Sequence, residues 1–135
     1  MKCVIVIDRT LPNGLAANTA AVLSISLGAQ LSDIVGSDVF DADGGRHPGL
    51  MHIPIPILCS EEGGIRAIKE IAMEKEAMGL HHVAVTDIAQ RSKNYSSYVA
   101  DMSQSNPARL KYLGVALYGD RALVTSITGD LPLYR

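Results

Sequence analysis

The sequence predicts an α/β domain in which a largely parallel sheet carries helices on its faces. Three observations predict it. Apolar, β-branched runs without helical spacing recur at residues 2–8, 81–87 and 110–118. Segments of helical character lie between them. The first two of these runs end in an acidic residue, Asp8 and Asp87, as strands do when their carboxyl ends open onto a loop-lined cleft. A chain of 135 residues is the size of one domain, and residues 1–135 are expected to form it.

Residues 2–8 read as a central strand covered on both faces. Thr10-Leu-Pro-Asn-Gly14 is a turn, and residues 15–28 are Ala-rich and apolar nearly all round, so they read as a buried helix. No charged residue occurs from Thr10 to Ser32, a span long enough to raise a membrane helix or a signal peptide. Asn13, Asn18, Thr19, Ser24, Ser26 and Gln30 interrupt it, and Asp8 and Arg9 stand directly before it. No membrane partner is expected. Residues 32–50 are rich in Asp, Gly and Ser around Val39 and Phe40 and form an irregular excursion.

Residues 52–59 alternate isoleucine with Pro54 and Pro56, which cannot donate to a ladder, so this strand belongs at an edge. Ser60-Glu-Glu62 offers a capping hydroxyl and first-turn acids. Ile65, Ile68, Ile71, Ala72 and Met78 then form an apolar stripe, and the helix ends near Gly79. Residues 93–102 are a further helix in which Tyr95 and Tyr98 share a core-facing side, broken at Ser105-Asn-Pro107. A last short helix falls within residues 119–129.

Composition narrows the function. With 47% hydrophobic and 19% charged residues, the chain is expected to be a compact soluble domain. Twelve basic against fourteen acidic side chains, a net charge of −2, disfavour nucleic acid as a partner. Cys3 and Cys59 sit in apolar runs and read as reduced, buried thiols of a cytoplasmic protein. His47, His52, His81, His82, Asp41 and Asp43 lack metal-ligand spacing, since adjacent histidines on a strand face opposite ways and Asp41-Ala-Asp43-Gly44 lacks the closing Glu of a calcium loop. No phosphate loop, nucleophile elbow or dinucleotide fingerprint is present. No metal and no cofactor are expected.

The topology gathers a second set of polar residues at the strand ends. Asp8 and Arg9 end the first strand, either as an ion pair or as part of a site. Asn13 lies in the following loop, Asn18 on the first turns of the apolar helix, and Asp87 ends the third strand, with Arg91 just beyond. An amide on a buried helix needs a partner, so Asn18 either caps a neighbouring loop or faces a ligand cavity.

Several segments in order resemble the type 2 peptidyl-tRNA hydrolase superfamily. Asn13-Gly-Leu-Ala-Ala-Asn18 is similar to that family's loop and Ala-Ala-Gln helix start. Pro56-Ile-Leu-Cys-Ser-Glu-Glu62 through Met78-Gly-Leu80 resembles its second strand and helix, and Val83-Ala-Val-Thr-Asp-Ile-Ala89 its strand ending in Asp-Ala-Gly. Tyr112-Leu-Gly-Val-Ala and Leu123-Val-Thr-Ser-Ile-Thr-Gly-Asp-Leu-Pro-Leu-Tyr134 are close to its final strand, helix and Thr-Gly-x-Leu-x-Leu ending. The chain looks closer still to an uncharacterised bacterial branch, domain of unknown function 2000. The resemblance implies a three-layer α/β/α domain with a four-stranded mixed sheet whose last strand is antiparallel.

The resemblance carries the activity less well. The family's loop lysine is missing from Pro12-Asn-Gly-Leu15, and its threonine after Asp-Ala-Gly is replaced in Asp87-Ile-Ala-Gln-Arg91. Two functions follow as expectations. One is a non-catalytic domain binding a small ligand or a protein in the strand-end cleft through Asp8, Arg9, Asn13, Asn18 and Arg91. The alternative is a small ester or amide hydrolase in which Asp87 orients water and a neighbouring cation holds charge. A homodimer is the expected assembly, through a helix face or the excursion around Val39, Phe40, Leu50 and Met51, unless that excursion packs on its own domain.

Overall fold

A computed structural model describes residues 1–135. The elements are β1 (Lys2–Asp8), α1 (Asn13–Gly28), a ribbon of β2 (Val39–Phe40) and β3 (Arg46–His47), β4 (Ile57–Ser60), α2 (Glu62–Glu74), β5 (His81–Thr86), α3 (Asp87–Arg91), α4 (Tyr95–Ser103), β6 (Tyr112–Gly119) and α5 (Arg121–Thr128). Short 3-10 turns cover Glu76–Met78 and Pro107–Arg109.

The main sheet has the order β4-β1-β6-β5. Only β1 and β4 are parallel, while β6 runs antiparallel to both β1 and β5. The sheet is therefore mixed, as the resemblance implied, and not largely parallel as the alternation of elements suggested. A chain that enters β6 from the opposite end gives the same order of elements along the sequence. The carboxyl ends of β1, β4 and β5 still share one end of the sheet with the start of β6.

Period-two alternation along β1 divides the core into two layers. Val4 and Val6 pack with Ile65, Ile68 and Ala72 of α2 and Val124 of α5. Cys3, Ile5 and Ile7 pack with Ala16, Leu23 and Leu27 of α1. Gly114 of β6 lets α1 lie close, since a Cβ there would meet Leu23 Cδ1, Thr19 Cγ2 and the Val6 carbonyl, each at 3.0 Å.

Helix α1 is not buried all round. Ala16, Thr19, Leu23 and Leu27 face the sheet, while Ala17, Asn18, Ala21, Val22 and Ile25 are exposed. A sheet covers only one side of a helix, so apolar residues on its outer side have nothing in this chain to pack on. On α2 the buried stripe is Ile65, Ile68 and Ala72, whereas Ile71 faces solvent and Met78, beyond the helix in the 3-10 turn, is exposed. The hydroxyl of Ser60 does not cap α2. Ser60 is the last residue of β4, its Oγ lying where Gly64 has no Cβ, and Glu61 occupies the cap position without a side-chain bond.

Strand β4 lies at the sheet edge, with Pro54 and Pro56 ahead of it rather than in it. The edge is covered by the chain's own tail. The Cys59 amide donates to Pro132 O at 3.0 Å and the Tyr134 amide to Ile57 O at 2.8 Å, so its backbone groups are satisfied without a second chain.

The excursion is ordered by carboxylates. Asp38 accepts from Arg46 and from the Gly49 amide, and Asp41 accepts from the Asp43 and Gly45 amides and pairs with His47 at 2.8 Å. The His47 contact and those two amides hold the Asp41 carboxyl below its ordinary value. Its apolar residues do not fold inward. Val39, Phe40 and Leu50 are exposed, Leu50 at 82%, and only Met51, Ile53 and Ile55 join the core beneath α1.

Both cysteines are free and buried, and desolvation pushes the Cys3 thiol up to about 11. A thiol reacts as its thiolate. In native protein at pH 8, iodoacetamide is therefore expected to leave Cys3 unmodified by mass spectrometry, with modification appearing in denaturant; rapid native labelling of Cys3 would contradict the placement of β1.

Candidate functional site

The sheet end does not collect all the polar residues into one place. Asp8 is almost wholly buried, and its Oδ1 accepts from the Thr10 amide at 2.9 Å and the Thr10 hydroxyl at 2.7 Å. This turn steers the chain out of β1. Arg9 does not pair with Asp8, since its Nε meets Glu61 Oε1 at 3.0 Å on the exposed surface, where such a pair contributes about 0–1 kcal/mol. Asn13 opens α1 beside a separate hollow of about 220 Å³ with Ile7, Ile57 and Tyr134. Asn18 projects from the outer face of α1 and needs no partner there.

Asp87 and Arg91 are brought together. Pairing of β5 with β6 shifts register between Val85 and Thr86, and the chain turns directly into α3. Asp87 is the first residue of that helix. Its amide donates to Lys111 O at 2.9 Å, and its Oδ1 accepts from the Lys111 amide at 3.1 Å. Oδ2 stands 3.6 Å from Arg91 Nη2, one helical turn on. Both residues line a cleft of about 390 Å³ with Gln104, Ser105, Asn106 and Arg109. A neighbouring hollow of about 440 Å³ shares Arg91 and Gln104 and adds Asp101.

The opposite wall of the cleft was not read as a site from sequence. Ser105-Asn-Pro107 reads there only as the end of a helix. In the fold Asn106 caps the Pro107–Arg109 turn through the Ala108 amide at 3.0 Å. Arg66, reaching across from α2, donates to Pro107 O at 3.1 Å and to Leu110 O. It also lies over the Tyr112 ring, 5.1 Å from its centroid. These contacts span more than forty residues, so no local signal reveals them. They fix the turn that presents Arg109.

Tyr95 also departs from expectation, whereas Tyr98 is half-buried. Tyr95 is 77% exposed and meets Tyr98 edge-on at 5.6 Å, beside a groove of about 400 Å³ between α4 and the outer side of α1. The histidines are dispersed. His47 pairs with Asp41, His52 with the Asp33 carbonyl and His82 with Glu76.

The arrangement is thus a three-layer α/β/α domain with a guanidinium-lined cleft at the end of β5. The chain belongs to DUF2000, a family of proteins of unknown function, whose profile matches residues 1–135. Its fold is similar to that of a protein of unknown function from Agrobacterium tumefaciens strain C58, Atu0240. The TM-score is 0.87 at 22% identity, covering 99% of this chain and 97% of that one. No curated protein is significantly similar to it in sequence. Neither match extends to the peptidyl-tRNA hydrolases.

Proposed function

We propose that this chain is a non-catalytic binding domain that takes a small anionic ligand, a phosphate or a carboxylate, in the cleft between α3 and the 105–110 turn. The observation that carries the reading is the charge lining that cleft. Arg91 and Arg109 face it with one carboxylate, Asp87, whose Oδ1 already accepts the Lys111 amide. Two guanidinium groups offer forked donors to an oxyanion, and Gln104 and Ser105 add neutral polar groups. Of the residues expected at the site, Arg91 and Asp87 belong to this cleft. Asp8, Arg9, Asn13 and Asn18 have no part in it.

One observation favours a second reading, a small ester or amide hydrolase. Asp87 and Arg91, 3.6 Å apart, set a carboxylate beside a cation in a concave site, which is part of what such chemistry requires. A second copy of the chain is the other partner we propose, through a surface away from this cleft.

Titration with inorganic phosphate, followed by amide chemical shifts, tests the binding reading. Shifts are expected at Arg91, Gln104, Ser105 and Arg109, and Arg109→Gln is expected to weaken binding about fivefold or more. A flat response at these amides up to tens of millimolar phosphate would end it. No turnover of a peptidyl-tRNA is expected, because the loop before α1 has no lysine.

A further inference from the structure

We infer that the outer face of α1 is a self-association surface on which a second copy of this chain docks, helix against helix about a two-fold axis. Ala17, Asn18, Ala21, Val22 and Ile25 lie on one side of the helix and are exposed, Ile25 at 76%. A helix apolar on both sides is one that is covered on both sides, and this chain covers only the side that faces the sheet.

Charge identifies the partner. A two-fold axis brings a face onto itself, so every charge near the axis meets its like. Among the helices of at least eight residues α1 alone has no Asp, Glu, Lys or Arg. Lys69, Glu70 and Glu74 stud α2, Asp101 stands on α4, and Arg121 opens α5. The face of α1 can thus meet a copy of itself without repulsion, and it offers nothing to a partner that binds through charge.

Shape agrees with this. Ile25 stands at the rim of an apolar hollow of about 230 Å³ between α1 and the excursion, shared with Val35 and Met51. Val22 borders the groove that holds Tyr95 and Tyr98 on the other side. A projecting side chain flanked by apolar hollows is the complement of its own copy, because each Ile25 can enter a hollow of the other chain.

Area sets the extent. Sixteen residues make a helix about 24 Å long and about 10 Å wide, too little by itself for the roughly 800 Å² per partner of a stable interface. The flanks must be buried too. Val35, beside Ile25 on one side, and Tyr95, beside Val22 on the other, are both exposed and apolar or aromatic, and they extend the patch. The ribbon residues Val39 and Phe40 are not required.

Sedimentation equilibrium of the full chain at tens of micromolar tests this. The expected species is a dimer, twice the 14.4 kDa chain mass. Ile25→Asp and, on the same face, Ala21→Lys are each expected to give a monomer with unchanged far-ultraviolet circular dichroism. Both positions are exposed, so the fold survives the substitutions. A wild-type chain that is monomeric throughout overturns the inference, as does a dimer that persists in both variants or one that Phe40→Asp alone dissociates. A monomer whose melting temperature rises in saturating toluene would show that a small apolar molecule covers this face instead, and would overturn it too.

Discussion

Leu23→Ala is expected to destabilise the domain by about 3 kcal/mol, within the range for truncating a fully buried leucine. Leu23 is the side chain of α1 with no exposure, and it lies against Gly114 of β6 among Ile5, Ile7, Leu27 and Ala116. The loss has two parts, the transfer of the missing carbons and the cavity they leave. Collapse into that cavity is resisted because α1 already rests near contact distance on β6. For a chain of this length the loss lowers the melting temperature by about 10 °C. The control is Asn18→Ala on the outer face of the same helix, expected to stay within about 0.5 kcal/mol. A thermal or urea melt of both variants decides the matter. Equal losses would mean that α1 does not sit with Leu23 inward.

How legible these features are in the sequence depends on the range of the contacts that make them. Strands β1 and β5 and helices α1, α2, α4 and α5 are visible because β-branched runs, helical spacing and turn residues are local signals. Strand direction is not local. The antiparallel entry of β6 is legible only through resemblance to other chains, since the same order of elements serves a parallel sheet. Helix α3 is invisible for a different reason. It is five residues long and exists because Asp87 ties its first turn to Lys111, a contact across 24 positions. The apolar character of α1 is plain in the sequence, but burial in the core and burial against a second molecule write the same residues. Asp87 and Arg91 are legible as a strand-end pair. Arg109 is not, because Arg66 and Asn106 place it through the fold.

The cleft yields opposite expectations for one substitution under the two functional readings. Asp87→Asn keeps an oxygen to accept the Lys111 amide and removes the carboxylate charge beside Arg91. If the cleft binds an anion, the carboxylate competes with the ligand for that guanidinium, and its removal strengthens phosphate binding. One unit charge at about 5 Å in a solvent-exposed cleft is worth about 1 kcal/mol, so the gain is about fivefold. If instead Asp87 orients water for hydrolysis, the same change abolishes turnover in a broad esterase screen and leaves phosphate affinity unremarked. Asp87→Ala separates chemistry from scaffold. It also deletes the acceptor for the Lys111 amide, a charge-assisted bond at the surface, and is expected to cost about 1–2 kcal/mol of stability that Asp87→Asn retains. Melting curves and phosphate titrations of the two variants together give the answer. Tighter phosphate binding in Asp87→Asn at wild-type stability supports a binding cleft, and a phosphate affinity that falls with the charge would remove Arg91 from the ligand's path.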